Sequence, residues 1–83
     1  MIQLLYFAGL RERLGIGAES LELPTGIATV AVLRDHLAQR GDVWEALTMM
    51  RNLRVAVNQT IVGFDAQLKD DDEVAFFPPV TGG

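Results

Sequence analysis

Apolar and polar positions alternate at the start of the chain, which predicts a β-strand over residues 2–7 with Ile2, Leu4 and Tyr6 on one face. Four further stretches have strand character: residues 19–24, residues 54–58, a short strand near Ile61, and residues 73–77. Pro24 closes the second of these strands, and Pro78 and Pro79 end the last one, because proline cannot donate a hydrogen bond to a sheet.

A different spacing predicts the main helix. Val30, Leu33 and Leu37 lie three and four residues apart, so they share one helical face. Thr29 is a suitable N-cap, and Gly41 stands where a left-handed residue would end the helix. Two smaller segments complete the pattern: a helical turn or loop anchored by Leu10 and Leu14, and a short helix that Asp42 caps and that places Trp44, Leu47 and Met50 inward.

This order of elements predicts an α+β domain in which a mixed sheet packs on one main helix. The helix covers one face of the sheet, and no second layer is left for the other face. If the first and last strands lie side by side in parallel, Phe7 and Phe77 both lie at their C-terminal ends on the uncovered face, with Leu5 and Ala75. Such an apolar patch typically marks an interface, although loops of the chain itself could also cover it.

Composition then excludes several classes of function. The chain has no cysteine and a single histidine, His36, which we place off the buried line of the main helix, so a disulfide framework, a thiol nucleophile and a metal centre are not expected. No apolar run could span a membrane and no signal-peptide pattern is present, so we expect a cytoplasmic protein. The net charge of −4 argues against nucleic acid and favours a partner with a basic docking face. Arg11 and Arg13 could still contact an acidic partner surface, or simply be solvated.

The last residues, FFPPVTGG, are the strongest functional signal. We expect residues 1–77 to form the domain and residues 78–83 an extended, flexible tail, because prolines favour an extended backbone and the final glycines have no Cβ. Six residues reach roughly 20 Å at about 3.3–3.6 Å each, so the carboxylate of Gly83 could enter a narrow channel. Activated by ATP as an acyl-adenylate and attacked by a sulfur nucleophile, that carboxylate would become a thiocarboxylate, a sulfur carrier that needs no cysteine.

Three segments resemble the small, sulfur-carrier subunits of molybdopterin synthase: LYFAGLRERLG near the start, VAVNQTIVGFDAQL in the middle and LKDDDEVAFFPPVTGG at the end. The resemblance implies a ubiquitin-like β-grasp fold. It also implies that a ubiquitin-activating-type adenylyltransferase uses ATP to adenylate Gly83, which is then converted to a thiocarboxylate. The thiocarboxylate would donate sulfur to cyclic pyranopterin monophosphate and so form the dithiolene of molybdopterin.

The same resemblance implies a heterotetramer with two copies of a large synthase subunit, and no activity of this chain alone. Its tail would enter the active site of the large subunit, where Pro78, Pro79, Val80 and Thr81 would bind that subunit and Gly82 and Gly83 would be the catalytic residues. Phe7, Ile61 and Phe77 match the positions of the hydrophobic contact with that subunit. No cofactor or metal is expected to bind this chain.

One position departs from the resemblance, and two other functions stay open. Asp71 stands where the family often has glycine, which suggests a positive φ that aspartate tolerates. A calcium site in this acidic turn is the other interpretation, but the spacing of an EF-hand loop is absent. The alternative functions are a sulfur carrier of the thiamine type and a ubiquitin-like protein modifier; a plain interaction module whose tail binds a groove is a further one.

Overall fold

The structure, a computed structural model, describes residues 1–79, which contain five strands, three α-helices and one 3-10 helix. In chain order the elements are β1 (Ile2–Tyr6), α1 (Ala8–Leu14), β2 (Ala18–Leu21), α2 (Val30–Ala38), a 3-10 helix (Asp42–Glu45), α3 (Ala46–Met49), β3 (Arg54–Val57), β4 (Thr60–Val62) and β5 (Glu73–Phe77).

The strands form one mixed sheet in the order β2-β1-β5-β3-β4. β1 and β5 are parallel neighbours, with Leu5 opposite Ala75, as the sequence predicts. The other neighbouring strands pair in antiparallel fashion. Because α2 packs on one face of this sheet, the predicted α+β class is confirmed.

The core lies between the sheet and α2. Val30, Leu33 and Leu37 are fully buried there, together with the inward-facing residues of β1 and β5. Burying one such side chain contributes about 1.5–3 kcal/mol, so this face holds the helix on the sheet. The predicted N-cap is also confirmed, because the Thr29 hydroxyl accepts a hydrogen bond from the backbone N–H of Val32 at 3.3 Å.

The boundaries of the first two strands differ from those that the sequence predicts. β1 ends at Tyr6, because Phe7 becomes the N-cap of α1. β2 spans residues 18–21 rather than 19–24, since β1 offers no strand residue beyond the Ile2–Leu21 pair. The segment between these strands is a helix, and its two predicted anchors, Leu10 and Leu14, are buried.

Two turns beside the sheet use left-handed backbone at residues other than glycine. Asn58 and Gln59, with φ angles of 51° and 70°, end β3 one residue earlier than predicted. Asp71 also has a positive φ, 70°, as the sequence predicts for this position. The two turns are linked, because Asn58 Nδ2 donates a hydrogen bond to Asp72 Oδ1 at 2.9 Å.

The connection after α2 corrects two predictions. Gln39, in a right-handed conformation, is the C-cap of α2, and Gly41 combines a φ of 78° with a ψ of −179°, so it starts the 3-10 helix rather than ending α2 in a left-handed turn. Asp42 lies inside the 3-10 helix and makes no capping hydrogen bond. His36 is exposed, as predicted. The predicted inward residues do pack on the core: Leu47, which is buried, and Trp44 and Met50, which are partly buried.

Candidate functional site

A row of apolar residues crosses the open face of the sheet, opposite α2. Strand register places five side chains in direct succession, one on each strand: Ala18, Leu5, Ala75, Ala56 and Ile61. Directly paired residues of neighbouring strands point to the same face, so these five form one continuous line. We call this line the apolar row.

Two phenylalanines extend the apolar row towards the end of the sheet from which the tail leaves. The backbone N–H of Phe7 donates to the carbonyl oxygen of Phe76 at 3.2 Å, so Phe7 lies beside the last residues of β5. Phe77 is the final residue of β5 and is half-buried. The side chains of Phe7 and Ile61 remain 45% and 68% exposed. We call the apolar row together with these two phenylalanines the apolar stripe.

Ala75 corrects one detail of the predicted patch, because it is only 8% exposed. It lies on the central strand between Leu5 and Ala56, and its single methyl group does not rise above these neighbours. Leu5 and Phe77 are half-buried rather than fully exposed. The accessible apolar surface of the stripe is therefore provided mainly by its two margins, Phe7 on one side and Ile61 on the other.

Polar residues limit the stripe on the side away from the tail. Gln3 is paired with Ser20 on one side and Glu73 on the other. The Ser20 hydroxyl donates to Gln3 Oε1 at 2.9 Å. The apolar surface thus occupies only the half of the open face that lies next to the exit of the tail.

The tail itself is described only at its beginning. Pro78 and Pro79 follow β5 directly and are half-buried. Since β5 lies between β1 and β3, the chain leaves the sheet between Phe7 and the start of β3. The other residues predicted to act, Val80, Thr81, Gly82 and Gly83, lie outside the described residues.

A cluster under the stripe, which the sequence analysis missed, fixes the end of β1. The Tyr6 ring stacks on Phe76 at 6.4 Å between centroids and meets Trp44 edge-on at 5.5 Å. The Tyr6 hydroxyl donates to Glu19 Oε2 at 3.2 Å. Arg40 donates two hydrogen bonds to the same carboxylate, at 2.9 and 2.8 Å.

The electrostatics of this cluster follow from those contacts. Burial raises the pKa of Tyr6 well above its ordinary value, and the Glu19 carboxylate acts in the same direction. The hydrogen bonds from Arg40 hold the pKa of Glu19 below its usual range. Alternation along β1 predicted that Tyr6 points inward. Glu19 and Arg40 are 21 residues apart, so no local sequence pattern predicts that they form an ion pair.

The chemistry of the described residues is that of a binding surface. Residues 1–79 contain no group of three histidine, cysteine, aspartate or glutamate side chains that could hold a metal ion. Within the same range, no helix has the length and apolarity needed to cross a membrane. What the site does offer is an apolar docking surface beside an exiting chain end, and such surfaces typically mark protein interfaces.

Comparisons with known proteins agree with this arrangement. The ThiS family profile matches residues 4–83. The molybdopterin synthase sulfur carrier subunits of Escherichia coli K12 and Haemophilus influenzae are 48% and 45% identical to this chain, each over 100% of both chains. The solved structure of Haloferax volcanii small archaeal modifier protein 1 is similar with a TM-score of 0.75 at 25% identity, covering 95% of this chain and 97% of that one. This likeness confirms the predicted ubiquitin-like β-grasp fold.

Proposed function

The chain belongs to the ThiS family, and on that premise we propose that it is the sulfur-carrier subunit of a molybdopterin synthase. The observation that carries the proposal is the position of the apolar stripe, which flanks the point where the tail leaves the sheet. A partner that covers the stripe would receive the tail in the same contact. The relatives matched over their full length are named as subunits, which supports such a partner.

The proposed chemistry takes place at the carboxylate of Gly83. An adenylyltransferase of the ubiquitin-activating type joins this carboxylate to the α-phosphate of ATP, and pyrophosphate leaves. A sulfur nucleophile then displaces AMP and leaves a thiocarboxylate, which is a much better nucleophile than the carboxylate. Its sulfur attacks a side-chain carbon of cyclic pyranopterin monophosphate and forms a carbon–sulfur bond there, while an oxygen substituent of that carbon leaves. Water then hydrolyses the resulting acyl–sulfur bond, so that the carboxylate is regenerated and the sulfur stays on the pterin.

Two such transfers build the dithiolene of molybdopterin, so a spent carrier must leave the large subunit and be recharged. We expect a heterotetramer with two carriers and two large subunits. A carrier that exchanges needs a contact that is specific without being permanent. The stripe supports a reversible contact. Its large accessible side chains lie at its margins and its centre consists of small or half-buried side chains, so a partner gains only a limited apolar area by covering it.

This role assigns catalysis to the complex and not to the chain alone. We propose that the carrier works in the cytoplasm, has no activity by itself, and binds neither a cofactor nor a metal; ATP is consumed by the activating enzyme. The described residues contribute docking and orientation, through Phe7, Ile61 and Phe77. Pro78 to Gly83 supply the reach and the reacting carboxylate.

A second candidate function is that of a protein modifier, in which Gly83 is joined to lysine side chains of target proteins. The similarity to small archaeal modifier protein 1 favours it specifically. Both functions share the acyl-adenylate, so they differ only in the nucleophile that follows. Sulfur gives a small thiocarboxylate carrier, whereas amines give a series of conjugates of higher mass.

The test uses the absence of cysteine. The chain is incubated with ATP, the adenylyltransferase of the same organism and sulfide, treated with a thiol-alkylating reagent, and weighed intact. Because the chain has no cysteine, one added alkyl group that requires ATP and disappears when Gly83 is deleted reports a thiocarboxylate. Alkylation is the better readout, since oxidation of any of the three methionines nearly equals the exchange of oxygen for sulfur in mass. An unlabelled chain with an active enzyme, or a ladder of conjugates instead, would contradict the proposal.

A further inference from the structure

Lysine is almost absent from this chain. Of the seven lysine and arginine residues, Lys69 is the single lysine and the others are arginines. The α-amino group of Met1 is the second amine that the sequence provides. The difference between the two residue types matters for a chain whose carboxylate is activated. A deprotonated amine attacks an acyl-adenylate, whereas the guanidinium of arginine stays protonated and does not.

Both amines lie at the end of the sheet opposite to the tail. Lys69 begins the turn before β5, where its carbonyl oxygen accepts a hydrogen bond from the backbone N–H of Asp72 at 3.2 Å. The carbonyl oxygen of Asp72 accepts from the backbone N–H of Gln3 at 2.9 Å, so this turn lies beside the start of β1. Met1 precedes β1 at the same end, and its ammonium group lies 2.5 Å from Asp70 Oδ1. This hydrogen bond raises the pKa of the Met1 amine above its ordinary value, so less of the amine is deprotonated and nucleophilic.

The reach of the tail keeps both amines away from the carboxylate of their own chain. A proline biases the residue before it to extended backbone, so Phe77 and Pro78 continue the direction of β5 and the tail first turns back at Pro79. Pro79 lies about 7 Å beyond Phe77 and the remaining residues span about 14 Å at most, so the carboxylate returns no further than about 7 Å past Phe77. Asp72, beside the lysine, is about 16 Å from Phe77 along the strand, which leaves a gap of about 9 Å that a lysine side chain does not span. Met1 lies further still, because β1 and β5 are parallel and in register.

Near the exit of the tail, the basic positions carry arginine. Arg54 is exposed and directly opposite Phe77 in the pairing of β3 with β5. Arg51 lies three residues earlier, in the turn on the side towards which the tail leaves. Arg11 lies in the first turn of α1, where its backbone N–H donates to the carbonyl oxygen of Phe7 at 3.3 Å. The returning carboxylate therefore meets guanidinium groups, which remain protonated and do not capture an acyl group.

We propose that the placement of amines in this chain protects its activated carboxylate from capture by the chain itself, so that the acyl-adenylate remains available to an external sulfur nucleophile. This inference rests on the proposed function, because only an activated carboxylate needs such protection. In the reaction that is avoided, the amine nitrogen bonds to the carbonyl carbon and the bond from that carbon to the oxygen of AMP breaks. AMP leaves with the electron pair, and the nitrogen loses a proton to water. The product is a lactam, and a carrier closed in this way has no carboxylate left to recharge.

The test moves an amine to the tail. Arg54→Lys keeps the charge and places an amine opposite Phe77. Ser20→Lys is the matched control, because Ser20 is exposed on the same open face, on the edge strand β2 and at the far end of the sheet. Each variant and the wild type are incubated with ATP and the adenylyltransferase of the same organism, without sulfide. Intact mass detects the lactam as the loss of one water, and release of pyrophosphate measures adenylation.

We expect at least about tenfold more lactam from Arg54→Lys than from the wild type or Ser20→Lys, because a short tether gives an effective concentration in the millimolar range. Dilution of the protein should leave this yield unchanged, since the reaction is intramolecular. Arg51→Lys should form the lactam as well, because it also lies at the exit of the tail.

The outcomes separate this inference from the proposed function. Lactam from the wild type, or equal yields from Arg54→Lys and Ser20→Lys, would overturn the inference, because the position of the amine would then not decide the reaction. Adenylation of Arg54→Lys and Arg51→Lys without lactam would overturn it too. If neither of these two variants is adenylated, the arginines serve the contact with the adenylyltransferase and the inference is wrong. If the wild type itself is never adenylated, the proposed function fails instead.

Discussion

Ile61 allows the docking surface to be tested with little interference from folding. Its side chain is 68% exposed on the edge strand β4, so the folded domain uses only about a third of its apolar surface. Full burial of an isoleucine is worth about 1.5–3 kcal/mol, and a third of this is about 0.5–1 kcal/mol. Ile61→Ala should therefore lower the free energy of unfolding by no more than about 1 kcal/mol.

Binding depends on the other two thirds of that surface. If the large subunit covers Ile61, truncation to alanine removes about 1–2 kcal/mol of binding free energy, which is roughly a five- to thirtyfold increase in Kd. Isothermal titration calorimetry with the large subunit measures the Kd. Urea denaturation, followed by circular dichroism, measures the free energy of unfolding of the carrier alone.

Val32→Ala is the matched control for this experiment. Val32 is also a large apolar residue left exposed, at 43%, but it lies on α2, on the other side of the sheet from the stripe. Its truncation should leave the Kd within about twofold of wild type, since nothing in the proposed contact covers it. Equal Kd values for wild type and Ile61→Ala would refute the assignment of the stripe as the docking surface. Equal losses of binding affinity in Ile61→Ala and Val32→Ala would refute it as well.

Three further predictions follow from the described residues. Phe77→Asp should weaken binding to the large subunit by more than it lowers the free energy of unfolding, because Phe77 is only half-buried in the domain; calorimetry and urea denaturation measure the two, and equal affinity would rule out its role. Gln59→Gly should raise the free energy of unfolding by about 0.5–1 kcal/mol, because the turn needs positive φ at a position where glycine is favoured; a lower urea midpoint would contradict this. Arg40→Gln should make stability less dependent on pH: the pKa of Glu19 is depressed by Arg40, so the pair stabilises the fold above the ordinary value of 4.5 and this contribution is lost as the pH falls through the depressed value. Urea midpoints at neutral and acidic pH measure this dependence. If the midpoint falls between the two pH values by the same amount in Arg40→Gln as in wild type, the pair does not contribute.

The site could be predicted from sequence where local pattern and geometry coincide. Alternation along β1 and β5 placed Phe7 and Phe77 at the same end of the open face, and the structure confirms that placement. Ile61 came from the resemblance, and the register now shows why it belongs to the same surface. The roles of Gly82 and Gly83 remain predictions.

Other features depend on contacts between distant parts of the chain, so local sequence could not supply them. The Tyr6, Glu19 and Arg40 cluster joins a strand, its neighbour and the segment after α2. Ala75 is buried because its small side chain lies on the central strand, between Leu5 and Ala56, although alternation alone exposes it. The end of β2 likewise depends on where β1 begins.

The sequence by itself determined the α+β class, the buried face of α2 and the ending FFPPVTGG, because periodicity and residue type act over a few neighbouring positions. Tertiary structure decided which strands are neighbours, and therefore which side chains share a row. That choice made one stripe from residues on five strands. Strand order is a property of packing across the whole sheet, and no single stretch of sequence contains it.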